Sequence, residues 1–462
     1  MAELYSDALV FFGATGDLAY KRIFPALQAL IKRGHLNVPI IGVAKSGWKL
    51  EQLCARARDS LREYGGVEPD AFAKLCSLLQ YIDSDYRDPA TYKALREALG
   101  AAQRPLHYLA IPPSLFATVV EGFAKSGCAK DARLVVEKPF GRDLASAREL
   151  NKVLTSVFPE AAIFRIDHFL GKEQVQNLLY FRFANSFLEP IWNREHIQSI
   201  QITMAENFGV QGRGRFYEEV GAIRDVVQNH LLQVLVLLAI DPPASNETVC
   251  IRDEKIRVMR AMRPLARDSV VRGQFIGYRK EPGVSPDSQV ETFAALRFNI
   301  DNWRWAGVPF CIRTGKCLPV NATEVLVALK HPPHAVFDNA VVSHANYYRF
   351  RLSPDFVISL GARIKAPGEA MVGEDVELIA HEHPGDQMSP YERLLGDALR
   401  GDAALFNRED AVEAAWTVVD PVIGEATPVY DYELGTWGPH EADAIAADIG
   451  GWHNPTPTRY PS

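Results

Sequence analysis

The first 170 residues alternate apolar runs with helix-patterned runs, and that alternation restricts the fold more than any other feature. "ALVFFGATG" is an apolar run that ends in glycines. "DLAYKRIFPALQALIKRG" follows with Leu18, Ile23, Leu27 and Leu30 at helical spacing and Gly34 as a stop. "VPIIGVA", "RPLHYLAIPP" and "ARLVVEKPFG" read as three further buried strands with helical stretches between them. Strand-helix alternation of this kind predicts an α/β domain with a doubly wound, mostly parallel sheet. Beyond about residue 175 the rhythm stops. "IQSIQITMAENF", "ETFAALRFNIDN", "VPFCIRTGK", "TEVLVALK", "YYRFRL" and "DVELIAHEH" are strand-like runs separated by turns, which predicts an antiparallel sheet in a larger β+α domain. One helix, "AIRDVVQNHLLQVLVLLA", interrupts them, and a helix-rich tail follows. The expected domains are residues 1–170 and 171–462, with the last dozen residues, "HNPTPTRYPS" among them, as a frayed end.

Charge and cysteine usage narrow the function classes. A formal net charge of −7 argues against a general nucleic-acid binder, yet local cations can still form a pocket for an anionic small molecule. Six Cys occur without a C-x-x-C pair, so neither a zinc framework nor a redox motif is indicated. The N-terminus carries acidic residues where a signal peptide needs positive ones, and "LLQVLVLLAI" falls well short of the ~20 residues of a membrane span. The expectation is a soluble cytoplasmic protein. "HEH" (His381 to His383) lacks an obvious third ligand, and Cys311 and Cys317 lack redox spacing; both read as structural, and no metal is expected.

Chemistry concentrates in five places. Gly13 and Gly16, at a strand exit and helix entry, allow backbone N–H groups to approach a pyrophosphate, with a purely structural turn as the alternative. At the end of "IIGVA" stand Lys45 and Ser46 where an NAD-preferring site usually has an acid; a cation there favours NADP, unless Lys45 is a solvated surface lysine. Lys138-Pro139 closes another strand, and a cis bond there would aim Lys138 at the mouth of the sheet, unless it is only a corner. "RIDHFLGKE" places His168 and Lys172 four apart, on one face if a helix begins near Asp167, with Asp167 turned roughly 100° away toward a different partner such as an imidazole. "RDVVQNHLL" offers that imidazole in His230, with Asp225 five residues before it; the competing reading is a satisfied core histidine.

Taken in order, "FGATGDLA", "EKPFG", "RIDHFLGKE", "FGVQGRGRFYEEVGAIRDVVQNHLLQ", "IRTGKCL" and "GPHEAD" resemble the signature segments of the glucose-6-phosphate dehydrogenase family from Gly13 to Asp443. The resemblance implies a Rossmann domain, a β+α domain whose sheet mediates dimerisation or a tetramer, and NADP-dependent oxidation of glucose 6-phosphate to the lactone in the oxidative pentose phosphate route. It assigns His230 as general base, Asp167 as its partner, and His168 and Lys172 as ligands of the 6-phosphate. Lys138, Glu206, Asp225 and Lys316 match positions lining the sugar site, and Gly13, Thr15, Gly16, Asp17, Leu18, Lys45 and Lys138 match the cofactor side. Three departures stand out: Phe169 replaces a Tyr that helps hold the phosphate, Asn321 replaces a Lys, and Tyr20 replaces a Lys near the cofactor phosphates. Phe169 and Asn321 motivate one alternative, a same-fold enzyme for another sugar or sugar phosphate; a non-catalytic NADP-binding sensor is the other.

Overall fold

Ala8–Phe12 (β1) is buried along its whole length, as a strand covered on both faces must be. The computed structural model describes residues 5–334, 336–337, 345–381 and 385–457. Beside β1 lie Ile40–Ala44 (β2), Leu79–Asp83 (β3), Pro105–Leu109 (β4), Arg133–Val136 (β5) and Ile163–Arg165 (β6), all parallel, in the order β3-β2-β1-β4-β5-β6. The order reverses between β1 and β4, so the crevice for a ligand opens at the carboxyl ends of those two strands. Two of the six strands escape the apolar-run criterion. β3 is an edge strand with exposed and half-buried positions, and β6 is three residues long.

This sheet belongs to a unit made of Met1–Glu173, Ala244–Arg252 and Asp386–Glu413. A single boundary near residue 170 does not provide for the two later segments. The helix Pro390–Arg400 is held there by its contacts: Glu392 pairs with Arg33 at 2.6 Å, and Leu394, Leu395, Ala398 and Leu399 join the apolar cluster around Phe24 and Leu27.

The second unit comprises Gln174–Pro243, Asp253–Gly385 and Ala414–Ser462. Among the described residues its nine strands are Ile197–Ala205 (β7), Val270–Phe275 (β8), Phe293–Phe298 (β9), Phe310–Gly315 (β10), Ala322–Leu329 (β11), Tyr347–Ser353 (β12), Val357–Lys365 (β13), Gly373–His381 (β14) and Val429–Tyr432 (β15). They run in the order β14-β13-β12-β11-β7-β10-β9-β8-β15. The sheet is mixed rather than wholly antiparallel, because β7 pairs with β10 and β8 with β15 in parallel. Glu382 and His383 of the "HEH" run lie outside the described residues.

Residues 453–456 also depart from the expected fraying, while 458–462 lie outside the described residues. His453 Nε2 bonds Glu324 at 2.8 Å, Arg313 donates to Asn454 Oδ1 at 2.8 Å, and Arg351 donates to the Thr456 carbonyl at 2.9 Å. Charged side chains of the sheet thus pin residues that composition reads as frayed.

The stretch Gly214–Ala239 is long and apolar enough, by length and composition, to cross a membrane, but 89% of its apolar window is buried within the protein. It is the core helix of the second unit. Its last carbonyls, which no helix can satisfy internally, accept from Trp192 Nε1 (Leu238, 2.8 Å), Trp305 Nε1 (Ala239, 2.8 Å) and Arg182 (Leu237, 3.1 Å). Trp305→Phe keeps a ring but strands the Ala239 carbonyl, so a loss of about 2 kcal/mol is expected, read as a lower urea midpoint.

Candidate active site

In the first unit, β1 ends at Gly13, whose φ of +82° is open to glycine at no cost. Its N–H donates to the Val43 carbonyl at 2.9 Å and to the Tyr86 phenol at 3.0 Å, and the Gly16 N–H donates to the Gly13 carbonyl at 2.9 Å. The turn leads into a helix that starts at Asp17 and Leu18, runs through a π-helical segment (Ala19–Ile23) and continues as Phe24–Lys32. The opening N–H groups of any helix lack a carbonyl one turn back, so they face an anion placed beyond the turn. Thr15 sits beside the β2 loop, its hydroxyl accepting from Ser46 Oγ at 3.2 Å.

That loop is organised by Asp83, at the end of β3, which sequence reading passes over. Its carboxylate accepts from the N–H groups of Ser46 (2.8 Å) and Gly47 (3.0 Å), and the Ser46 bond foremost holds its pKa below the usual range. Lys45 is 71% exposed, with Nζ 2.9 Å from Asp85. A glycine turn, a helix start and a lysine at the end of β2 fit a dinucleotide carrying an extra phosphate.

Past β5 comes Glu137, then Lys138, joined to Pro139 by a cis bond. Glu137 is buried and bonded to the Tyr108 phenol and to Tyr391, and burial pushes its pKa up to about 7. A raised pKa means that the folded chain holds this proton more tightly than the unfolded one. The resulting stabilisation is full below the ordinary value of 4.5 and is lost as pH rises through about 7. It amounts to about 3 kcal/mol. Glu137→Gln should therefore flatten the fall in melting temperature between about pH 4.5 and pH 7.

After β6, no helix begins at Asp167. The Asp167 side chain, 1% exposed, accepts from the Phe169 N–H at 3.0 Å, its carbonyl accepts from Leu170 at 3.0 Å, and the helix opens only at Glu173. An Asp offering its own side chain to the backbone favours a turn over a helix. The turn still gathers the expected residues around Phe169: the His168 ring centroid is 5.7 Å from its ring and Lys172 Nζ is 3.8 Å from its centroid. Phe169 therefore holds Lys172 by a cation–π contact. Tyr391 stacks on His168 at 6.3 Å and 14°, a neighbour over 200 positions away that local pattern cannot find.

The second unit carries the other charged groups. Because β7 and β10 run parallel, with Ala205 opposite Gly315, the residues that follow them leave at the same end. Glu206 and Lys316 thereby meet, Nζ to Oε2 at 2.5 Å, with Lys316 5.0 Å from the Phe208 ring and 5.6 Å from the Tyr217 ring. Burial, then the charges of Asp225 and Glu206, raise the Tyr217 phenol's pKa, which puts Asp225 in the same electrostatic neighbourhood. His230, 3% exposed, lies on a π-helical segment, Ile223–Leu231. In an α-helix residues five apart diverge by about 140°. A π-helix has more residues per turn, which narrows that divergence between Asp225 and His230, and such distortions are frequent at functional sites. Asn321 accepts from the Asn207 N–H at 2.7 Å, so this departure fastens the loop after Glu206.

Comparison with known proteins settles the family. Residues 10–177 match the model of the glucose-6-phosphate dehydrogenase NAD binding domain, and residues 179–453 match that of its C-terminal domain. The chain belongs to the glucose-6-phosphate dehydrogenase family. It is 44% identical over 454 residues to glucose-6-phosphate 1-dehydrogenase 1 of Mycobacterium tuberculosis (strain CDC 1551 / Oshkosh), covering 97% of each chain. A crystal structure of glucose-6-phosphate 1-dehydrogenase from Mycobacterium avium shares 45% identity at a TM-score of 0.92, covering 98% of this chain and 100% of that one. A glucose-6-phosphate dehydrogenase solved in complex with its substrate glucose 6-phosphate shares 34% identity at a TM-score of 0.89, with the same coverage. Family membership confers the two-domain architecture, with a Rossmann domain and a larger domain built on a mixed sheet.

Proposed function

We propose that this protein oxidises D-glucose 6-phosphate at the anomeric carbon to 6-phospho-D-glucono-1,5-lactone, with NADP as oxidant, as the first step of the oxidative pentose phosphate route. The observation that carries the reading is that a family member matched over 97% of a curated relative's length keeps His230, Asp167, His168, Lys172, Lys138, Glu206, Asp225 and Lys316. His230 takes the proton of the anomeric hydroxyl, and Asp167 is the carboxylate that stabilises the resulting imidazolium. His168 and Lys172 hold the 6-phosphate; Lys172, resting on the Phe169 ring, brings a cation already partly stripped of water. Glu206, Asp225 and Lys316 orient the sugar hydroxyls, with Lys138 between substrate and cofactor. Gly13, Thr15, Gly16, Asp17, Leu18 and Lys45 hold the dinucleotide. When bound, NADP supplies the acceptor for the electron pair leaving the anomeric carbon.

The phosphate subsite gives the test. Lys172→Met should raise KM for glucose 6-phosphate about tenfold to a hundredfold, with a much smaller effect on kcat. An unchanged KM would remove Lys172 from the subsite. The working form proposed is a homodimer or homotetramer, supported by Leu378 on β14 and Ile364 on β13, which are 61% and 49% exposed. Light scattering that returns the mass of a single chain would refute it. The six cysteines are free thiols, which supports a reducing, cytoplasmic location.

A further inference from the structure

The helix Leu50–Glu63 follows the Lys45–Gly47 loop, and its second turn carries Arg56 toward the glycine turn. The Arg56 guanidinium lies 4.5 Å from the Tyr20 ring centroid and 5.9 Å from the Trp48 ring. Tyr20 is itself fixed: its hydroxyl donates to Glu63 at 2.9 Å, and its ring meets Tyr64 edge-on at 5.9 Å. Arg56 Nη2 pairs with Asp17 Oδ1 at 3.9 Å, too long for a hydrogen bond, and its buried Nε has no hydrogen-bond partner among the described residues. Lys45, by contrast, is engaged at 2.9 Å by Asp85. A guanidinium has five donors, and this one is held by ring faces rather than by acceptors.

We infer that Arg56 is a specificity-determining residue for the cofactor, receiving, together with Lys45, the 2′-phosphate on the adenosine ribose of NADP. In this fold the pyrophosphate faces the glycine turn and helix start, while the ribose lies at the end of β2. Arg56 is anchored on the second of these sides, by Trp48, three residues beyond Lys45. A planar guanidinium suits a phosphate through paired N–H bonds, and one set against aromatic faces gives up little water on binding. It also offsets Asp17, which would otherwise repel the incoming anion; Lys21 approaches the other Asp17 oxygen at 3.9 Å. Tyr20, which stands where the family usually has a lysine, thus acts as the platform for a cation delivered from a different helix.

The inference rests on the cofactor reading above, and direct binding separates the two. Titration calorimetry on the full chain would compare adenosine 2′,5′-bisphosphate with 5′-AMP, and NADP with NAD, for wild type, Arg56→Met and Arg56→Lys. Arg56→Met should weaken the 2′-phosphorylated member of each pair about tenfold or more and leave the other within about twofold, with Arg56→Lys recovering part of the loss. Equal weakening of both members, or no weakening, would overturn the role. Should Arg56→Met fail to fold, Arg56→Lys decides by the same selectivity. Wild-type protein that binds neither NADP nor NAD would overturn the cofactor reading itself, a pattern distinct from a silent Arg56 variant.

Discussion

Replacing His230 by Asn is expected to lower kcat by about a thousandfold while the dissociation constant for glucose 6-phosphate stays within about threefold, since a positioned base contributes 10²–10⁴. Asn fills much of the imidazole's volume and can donate a hydrogen bond to the sugar, but it cannot carry the proton away. The side chain is buried on a π-helical segment whose backbone N–H already bonds to Asn229 Oδ1 at 2.7 Å, so the local backbone does not depend on the imidazole. Calorimetric binding of the sugar phosphate, run beside steady-state kinetics, separates lost chemistry from a lost site. Near-normal turnover would return His230 to the role of a core histidine.

Gly13→Ala should be nearly as severe, on the other substrate. A Cβ at Gly13 would sit 2.2 Å from the Ala110 carbonyl oxygen and 3.0 Å from its carbon, and the φ of +82° is one that an L side chain adopts only under strain. Both obstacles are backbone at the end of β4, so no side chain can swing aside. The turn must shift, taking with it the N–H bonds to Val43 and Tyr86 and the aim of the helix start. About 3 kcal/mol of misfit corresponds to a loss of NADP affinity of roughly a hundredfold. Binding of glucose 6-phosphate should remain. NADP affinity within about threefold of wild type would mean that the glycine turn is structural only.

What was legible in the chain followed the range of the signal. β1, β2, β4 and β5 announce themselves as apolar runs because a strand buried on both faces has no polar side to show. β3 and β6 do not, one half-exposed at an edge and the other too short. Spacing places Asp167, His168 and Lys172 together, yet the chain makes a turn there rather than a helix, because Asp167 spends its side chain on the Phe169 N–H. Spacing likewise could not announce the π-helical segment around His230, a bonding shift set by tertiary packing. Glu206 and Lys316, 110 positions apart, meet only through a parallel strand pair in a sheet expected to be antiparallel. Arg56 was invisible for a plainer reason: in "ARARDS" it reads as one more solvated helix charge, and only the rings of Tyr20 and Trp48 set it apart.

The central claim, that a phosphorylated sugar is the substrate and NADP the oxidant, is tested most directly by nicotinamide reduction with the purified protein, pairing glucose 6-phosphate or glucose with NADP or NAD. The account predicts fast reduction with glucose 6-phosphate and NADP, and kcat/KM lower by about a hundredfold or more when the phosphate is removed from the sugar. Turnover of glucose as good as that of its phosphate would contradict it, and would make Phe169 and Asn321 the marks of a changed substrate.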